Sequence, residues 1–241
     1  RKDELIVPVT FIVFSILCFF LSGISFLFLA EQVALRFIRN IILVLALIFP
    51  IMAGMGLNFA VVIGTMITQA CFIIVLNFNI MGGRGAALVL LISLAAAAGV
   101  GYVIGRLLNK VRGREMVTSI VVGFLANYIY QLIFVAGFGT VIHVFNKKLV
   151  LSTGIGVKNM VDLKTFKAVF DNLGVFRIGK AKISMLLLVM IIVCGFFVFY
   201  LMHTPLGQRI KAVGMSEEKA ANIGIDTDRV RIIVIVLSTV F

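Results

Sequence analysis

The chain is built from blocks of twenty or more consecutive apolar residues, and its charges collect in the short stretches between them. No other feature constrains the fold as strongly, because about 20 apolar residues is the length of helix that crosses a ~30 Å hydrocarbon core. Of the 241 residues, 62% are hydrophobic and only 13% are charged. A soluble domain carries roughly 45–50% apolar and about 25% charged residues. A soluble enzyme and a disordered chain are therefore excluded. The expected fold is all-α: a polytopic membrane protein whose residues 1–241 form a single transmembrane domain.

Lys and Arg outnumber Asp and Glu by 22 to 10, a net +12. In a soluble protein such an excess would suggest nucleic acid, but here the basic residues sit between apolar blocks, where they meet the headgroups of the lipid bilayer. No nucleic-acid partner is expected. Cys18, Cys71 and Cys194 each lie inside an apolar run and read as small hydrophobes. His143 and His203 stand singly at span ends, so no metal site, nucleophile triad or cofactor motif is expected. The opening run, at about 26 residues, is too long for the apolar part of a signal peptide and reads as a first span.

The pattern predicts about six complete spans and a truncated seventh. The first covers residues 5–30, with Glu31, Arg36 and Arg39 as a polar exit. Residues 40–76 are too long for one helix, since at 1.5 Å per residue they would reach roughly 55 Å. Pro50, Gly54, Gly56 and Asn58 interrupt this run. It is either a broken helix lining a pathway, with its irregular backbone satisfied by protein or water, or a tight hairpin between two short spans. The fourth span, 86–108, carries Ala97, Gly101 and Gly105 at four-residue intervals, a ladder that lets a neighbouring helix approach closely. A basic loop with Arg106, Lys110, Arg112 and Arg114 leads to a fifth span at 117–144.

Residues 145–182 are polar enough to leave the membrane and form an extracytoplasmic loop. Within it Met160, Leu163, Phe166 and Phe170 recur at the spacing of an amphipathic surface helix. The sixth span is 183–202, and 232–241 begins a seventh whose ten residues give only about 15 Å of helix, so the sequence reads as part of a longer protein. Alternating the spans leaves eleven Lys and Arg on each side of the membrane. The compact 106–114 cluster weighs most, because short loops dominate orientation, and it puts the N-terminus inside.

Gly174 to Ala181 nearly spells a phosphate-binding P-loop, but Ala181 stands where Ser or Thr should hold magnesium. It reads as a glycine-containing loop. The polar groups within spans are few: Asn58, Thr65, Thr68, Gln69, Asn127, Tyr128 and Gln131. Asn58, Thr65, Gln69, Asn127, Tyr128 and Gln131 are the candidate lining of a translocation pathway. No carboxylate lies deep in a span, which argues against ion-coupled transport.

Residues 203–231 hold the densest local signals. Thr204 can cap a helix beginning at Pro205 and ending at Gly214, and Ser216 can cap a second that opens on Glu217 and Glu218 and stops at Gly224. Asp226 or Thr227 then caps the next span. Two short capped helices between spans make a rigid platform at the membrane surface, either an ordinary ordered loop or a docking surface for a soluble partner.

The run Thr204-Pro205-Leu206-Gly207-Gln208-Arg209-Ile210-Lys211-Ala212-Val213-Gly214, then Glu218-Lys219-Ala220-Ala221-Asn222-Ile223-Gly224-Ile225, resembles the permease signature of bacterial ABC importers. It looks most like their simple-sugar and nucleoside branch, which is similar to ribose and branched-chain amino-acid permeases. It departs at Lys219, where the family commonly has Ala. Glu115-Met116-Val117-Thr118-Ser119-Ile120 is similar to a stretch of nucleoside-type permeases, although Asn127-Tyr128 comes one turn later than the family's Asn-Tyr. The resemblance implies an ABC importer permease in the bacterial plasma (inner) membrane, with no catalysis of its own. Its implied partners are cytoplasmic ABC ATPase subunits, a second permease subunit in a homo- or heterodimer, and an extracytoplasmic substrate-binding protein. Residues 203–231 become a cytoplasmic coupling loop, with Gly207, Arg209, Ala212, Gly214, Glu218, Ala220, Ala221 and Gly224 as its ATPase-coupling residues. The competing readings are an ion-coupled secondary transporter or channel, and a membrane scaffold.

Overall fold

A computed structural model describes residues 2–146, 149, 151, 155–158, 174–178 and 181–241. The apolar blocks fold as helices: α1 (Lys2–Ser22), α2 (Phe26–Met52), α3 (Val61–Asn77), α4 (Gly82–Lys110) and α5 (Glu115–Leu132), the last running into a π-helical turn at Ile133–Gly137. Strands β1 (Val175–Ile178) and β2 (Ala181–Ser184) pair antiparallel. They are followed by α6 (Met185–His203), α7 (Pro205–Met215), α8 (Glu217–Asn222) and α9 (Thr227–Val240). The six expected spans correspond to α1 to α6 and the seventh to α9. Within the Gly174–Ala181 stretch, read as a loop, Val175–Ile178 form β1 and Ala181 opens β2.

Among the described residues, three helices are long and apolar enough to cross a membrane: Phe26–Met52, Gly82–Lys110 and the continuous Glu115–Gly137. Leu187–His203 joins Pro205–Met215 across a 73° bend to make a further, broken candidate. The fold is a polytopic all-α membrane protein.

Several boundaries differ from the sequence expectation. The first span ends at Ser22, not at residue 30: Gly23 turns the chain with φ +62° and Ser25 caps α2, its Oγ accepting from Phe28 N at 3.4 Å. Local cap chemistry overrides an unbroken apolar run, and Glu31 and Arg36 fall inside α2 instead of marking an exit. The fifth span stops near Gly137, where Phe138 leaves the helix and bridges to Ile142. The expected amphipathic helix through Met160, Leu163, Phe166 and Phe170 lies outside the described residues.

The break after α2 falls where Pro50, Gly54, Gly56 and Asn58 pointed. Gly54 and Gly56 take φ +73° and +75°, a left-handed backbone that glycine adopts without strain. Part of this irregular stretch is satisfied by protein groups, as membrane depth demands. Met55 N donates to Pro50 O, Ala60 N to Asn58 Oδ1, and Phe59 N to Ser119 Oγ on α5, each within 3.2 Å.

The core forms around α9, which packs on α4, α3 and α2. Val234 and Ile235 are fully buried there with Phe49 of α2, Leu108 of α4 and Ile210 of α7. The small-residue ladder is the reason α4 and α9 lie so close. A methyl group added at Gly101 would stand 3.1 Å from Val236 Cα, and one at Gly105 would stand 3.1 Å from Ile232 Cα. Gly64 of α3 sits tighter still against the Thr239 backbone. At the other end of the bundle Asn77 closes the turn after α3: its Nδ2 donates to His143 O at 2.9 Å and its Oδ1 accepts from Phe145 N at 3.0 Å.

A candidate coupling platform and pathway

Helices α7 and α8 fold from local instructions. Thr204 Oγ1 accepts from Gly207 N at 3.4 Å and donates to Leu201 O at 2.6 Å, with Pro205 as the first helical residue. Ser216 Oγ caps α8 by accepting from Lys219 N at 3.3 Å. Gly224 (φ +85°) ends that helix, and Asp226 caps α9 by accepting from Arg229 N at 3.1 Å. Each cap satisfies an amide that has no partner within its own helix.

One expectation is corrected here. Gly214 does not end α7, which continues to Met215. Its bare Cα lets α7 lie directly on the break after α2, where any side chain would run into the Met52 carbonyl oxygen. Gly207 is constrained in the same way against the Leu201–Met202 backbone, which is what permits the 73° bend.

The residues named for ATPase coupling thus divide in two. Gly207 and Ala220 are buried, and Ala212 and Gly214 half-buried, toward the bundle. Arg209, Glu218, Ala221 and Gly224 are exposed. The sequence reading missed two apolar side chains on this outward face, Met215 (85% exposed) and Ile223 (73% exposed). Their position directly beside each cap boundary is the signal that marks them.

Beneath the platform lies an ionic cluster that sequence reading also missed. Arg231 is only 4% exposed. Its guanidinium pairs with Glu115 at the start of α5, donates to Asn109 Oδ1 of α4 at 2.9 Å, and reaches Glu217 of α8 at 3.4 Å. Arg112, in the basic loop, pairs with Glu217 at 3.2 Å and Asp228 at 2.5 Å. The hydrogen bond to Asp228 raises the Arg112 pKa above its ordinary value, with partial burial opposing it. The half-exposed Arg112 pairs contribute little stability, whereas removing one partner of the buried Arg231 pair costs about 3–5 kcal/mol. These contacts bring residues 106–114 and 203–231 together at one end of the bundle, as the alternation of spans required.

Among the described residues, the candidate pathway side chains lie at the break, on α3 and on α5. Asn58 is buried at the break (3% exposed), and its Nδ2 has no hydrogen-bond partner among the described residues. Thr65 and Gln69 lie one turn apart on the exposed side of α3. On α5, Asn127 is half-buried, and Tyr128 and Gln131 are exposed. The Ser119–Phe59 hydrogen bond ties α5 to the break beside Asn58.

Residues 29–241 match the family model described as branched-chain amino acid transport system / permease component. The chain belongs to that permease family. No curated protein and no solved structure gives a significant match. The match spans α2 to α9 and so includes both the platform and the break. This ABC permease is accordingly a multi-pass membrane protein of a transporter family, a class that is not enzymatic. The family implies transporter partners such as an ATPase and a binding protein.

Proposed function

We propose that the chain is the permease subunit of an ABC importer in the bacterial inner membrane, forming the path for a small neutral polar solute, a nucleoside or a simple sugar. The observation that carries the coupling half of this reading is the two-sided build of residues 204–224. Its inner face is seated backbone to backbone on the α2 break, and its outer face offers Arg209, Met215, Glu218 and Ile223 to solvent. Such a platform fits a groove on a cytoplasmic ATPase, whose closure would move α7 and with it the break. One ligand at each end then biases a shared two-state element.

The substrate half rests on chemistry. Apolar walls bearing a few amides and hydroxyls suit a neutral polar solute. Thr65, Gln69 and Gln131 are exposed in the single chain, and a second permease subunit would enclose them. The loop 145–182 would face outward and receive the substrate-binding protein.

Co-purification of the full-length protein in mild detergent tests the reading. A P-loop ATPase in the complex, lost when the outer face of residues 204–224 is altered, is the expected result. A lone protein or simple homo-oligomer, with no ATPase at any salt concentration, would overturn it. Ligand screening of the accompanying binding protein then assigns the solute.

A further inference from the structure

The platform end of α4 carries two adjoining grooves of different character. At 29 residues α4 is about 43 Å long, well beyond a ~30 Å hydrocarbon core, so its last turns stand at headgroup depth. Arg106 and Lys110 lie one turn apart there, both exposed, and no described carboxylate pairs with either. They form the shared rim of two adjoining grooves. One, of about 530 Å³, continues to Asn109, Arg112, Asp228 and Ile232. The other, of about 430 Å³, is walled by Tyr102, Val103 and Leu107 toward the bilayer. Asp228 is matched by Arg112 at 2.5 Å, which leaves the polar groove with two unmatched cations. The Arg106 guanidinium lies 5.6 Å from the centre of the Tyr102 ring, a cation–π distance that holds it over the apolar wall.

We infer that this double groove binds one anionic phospholipid, with its phosphate between Arg106 and Lys110 and an acyl chain along Tyr102, Val103 and Leu107. A polar basic half beside an apolar half is the complement of a lipid, whereas a soluble phosphate would use only the first. Basic pockets at the membrane boundary select anionic headgroups. The bound lipid would bridge α4 to the start of α9 at Asp228 and Ile232, next to the cluster that holds the platform.

The test is native mass spectrometry of the full chain, delipidated in detergent and titrated with phosphatidylglycerol or phosphatidylcholine of identical acyl chains. The expected result is preferential retention of one phosphatidylglycerol. The R106Q/K110Q variant should weaken it about twenty-five-fold, from roughly fivefold per basic residue, while R106K/K110R keeps it. Should R106Q/K110Q fail to fold, the headgroup preference of the unaltered chain decides alone. Equal retention of the two lipids, or unchanged affinity in a folded R106Q/K110Q, overturns the inference. Displacement by inorganic phosphate at concentrations equal to the lipid overturns it in favour of a soluble-anion site.

Discussion

Gly54 and Gly214 meet backbone to backbone, α7 lying across the break after α2 so closely that a methyl group on Gly54 would stand 3.1 Å from the Gly214 carbonyl oxygen. Gly214→Ala forces its new carbon into the Met52 carbonyl, and α7 must lift away. Overpacking of this kind costs about 1–3 kcal/mol. Melting in detergent should fall and uptake should be lost, while membrane insertion persists. Unchanged melting and uptake would show that the close approach is dispensable.

Within one helix, three glycines make a controlled comparison. Gly101 and Gly105 face α9, whereas nothing lies within 4 Å of an added carbon at Gly99. Gly99→Ala should be neutral or stabilising by up to about 1 kcal/mol through helix propensity. Gly101→Leu should destabilise by separating α4 from α9. Thermal unfolding of both variants checks this, and equal shifts would contradict the packing role of the ladder.

Arg231→Gln leaves the largely buried Glu115 with its strongest partner gone, a loss of up to about 3–5 kcal/mol. Replacing both residues by apolar ones, as in Arg231→Met with Glu115→Leu, should recover much of it. A double-mutant cycle measured by detergent-phase unfolding tests this coupling, and additive effects would refute it.

Met215→Asp with Ile223→Asp changes only the outer face of the platform. The variant should fold and melt like the parent yet lose the co-purifying ATPase. Retention of that partner would place its docking surface elsewhere on the chain.

Gln69→Ala and Gln131→Ala should raise the KM for uptake, each by roughly fivefold for a lost hydrogen bond of about 1 kcal/mol, with ATPase association intact. Unaltered KM in both would remove α3 and α5 from the pathway.

What was legible in the sequence was local. Thr204, Ser216 and Asp226 reach amides no more than three residues on, and a cap of that reach is written in the residues themselves. The break at Pro50 to Asn58 and the ladder on α4 were legible for the same reason, since each is a short pattern. The first boundary was not, because the apolar run passes through Gly23 and Ser25 without a change in polarity. Gly214 was misread because a glycine that ends a helix and one that admits a neighbouring backbone look identical in one dimension. Arg231 was hidden by distance along the chain: Asn109 and Glu115 lie far upstream of it. Exposure of Thr65, Gln69 and Gln131 likewise depends on which helices pack where, and polarity alone does not say so.

The pairing of α4 with α9 has a consequence for how the protein is made. Gly101 and Gly105 wait for Val236 and Ile232, which leave the ribosome roughly 130 residues later, on the order of 10 s at ordinary synthesis rates. Throughout that interval the grooved side of α4 faces lipid or a chaperone instead of its final neighbour. Biogenesis of this protein is thus exposed at one place and for a defined time, and a translational pause before α9 would lengthen the exposure without altering a single residue.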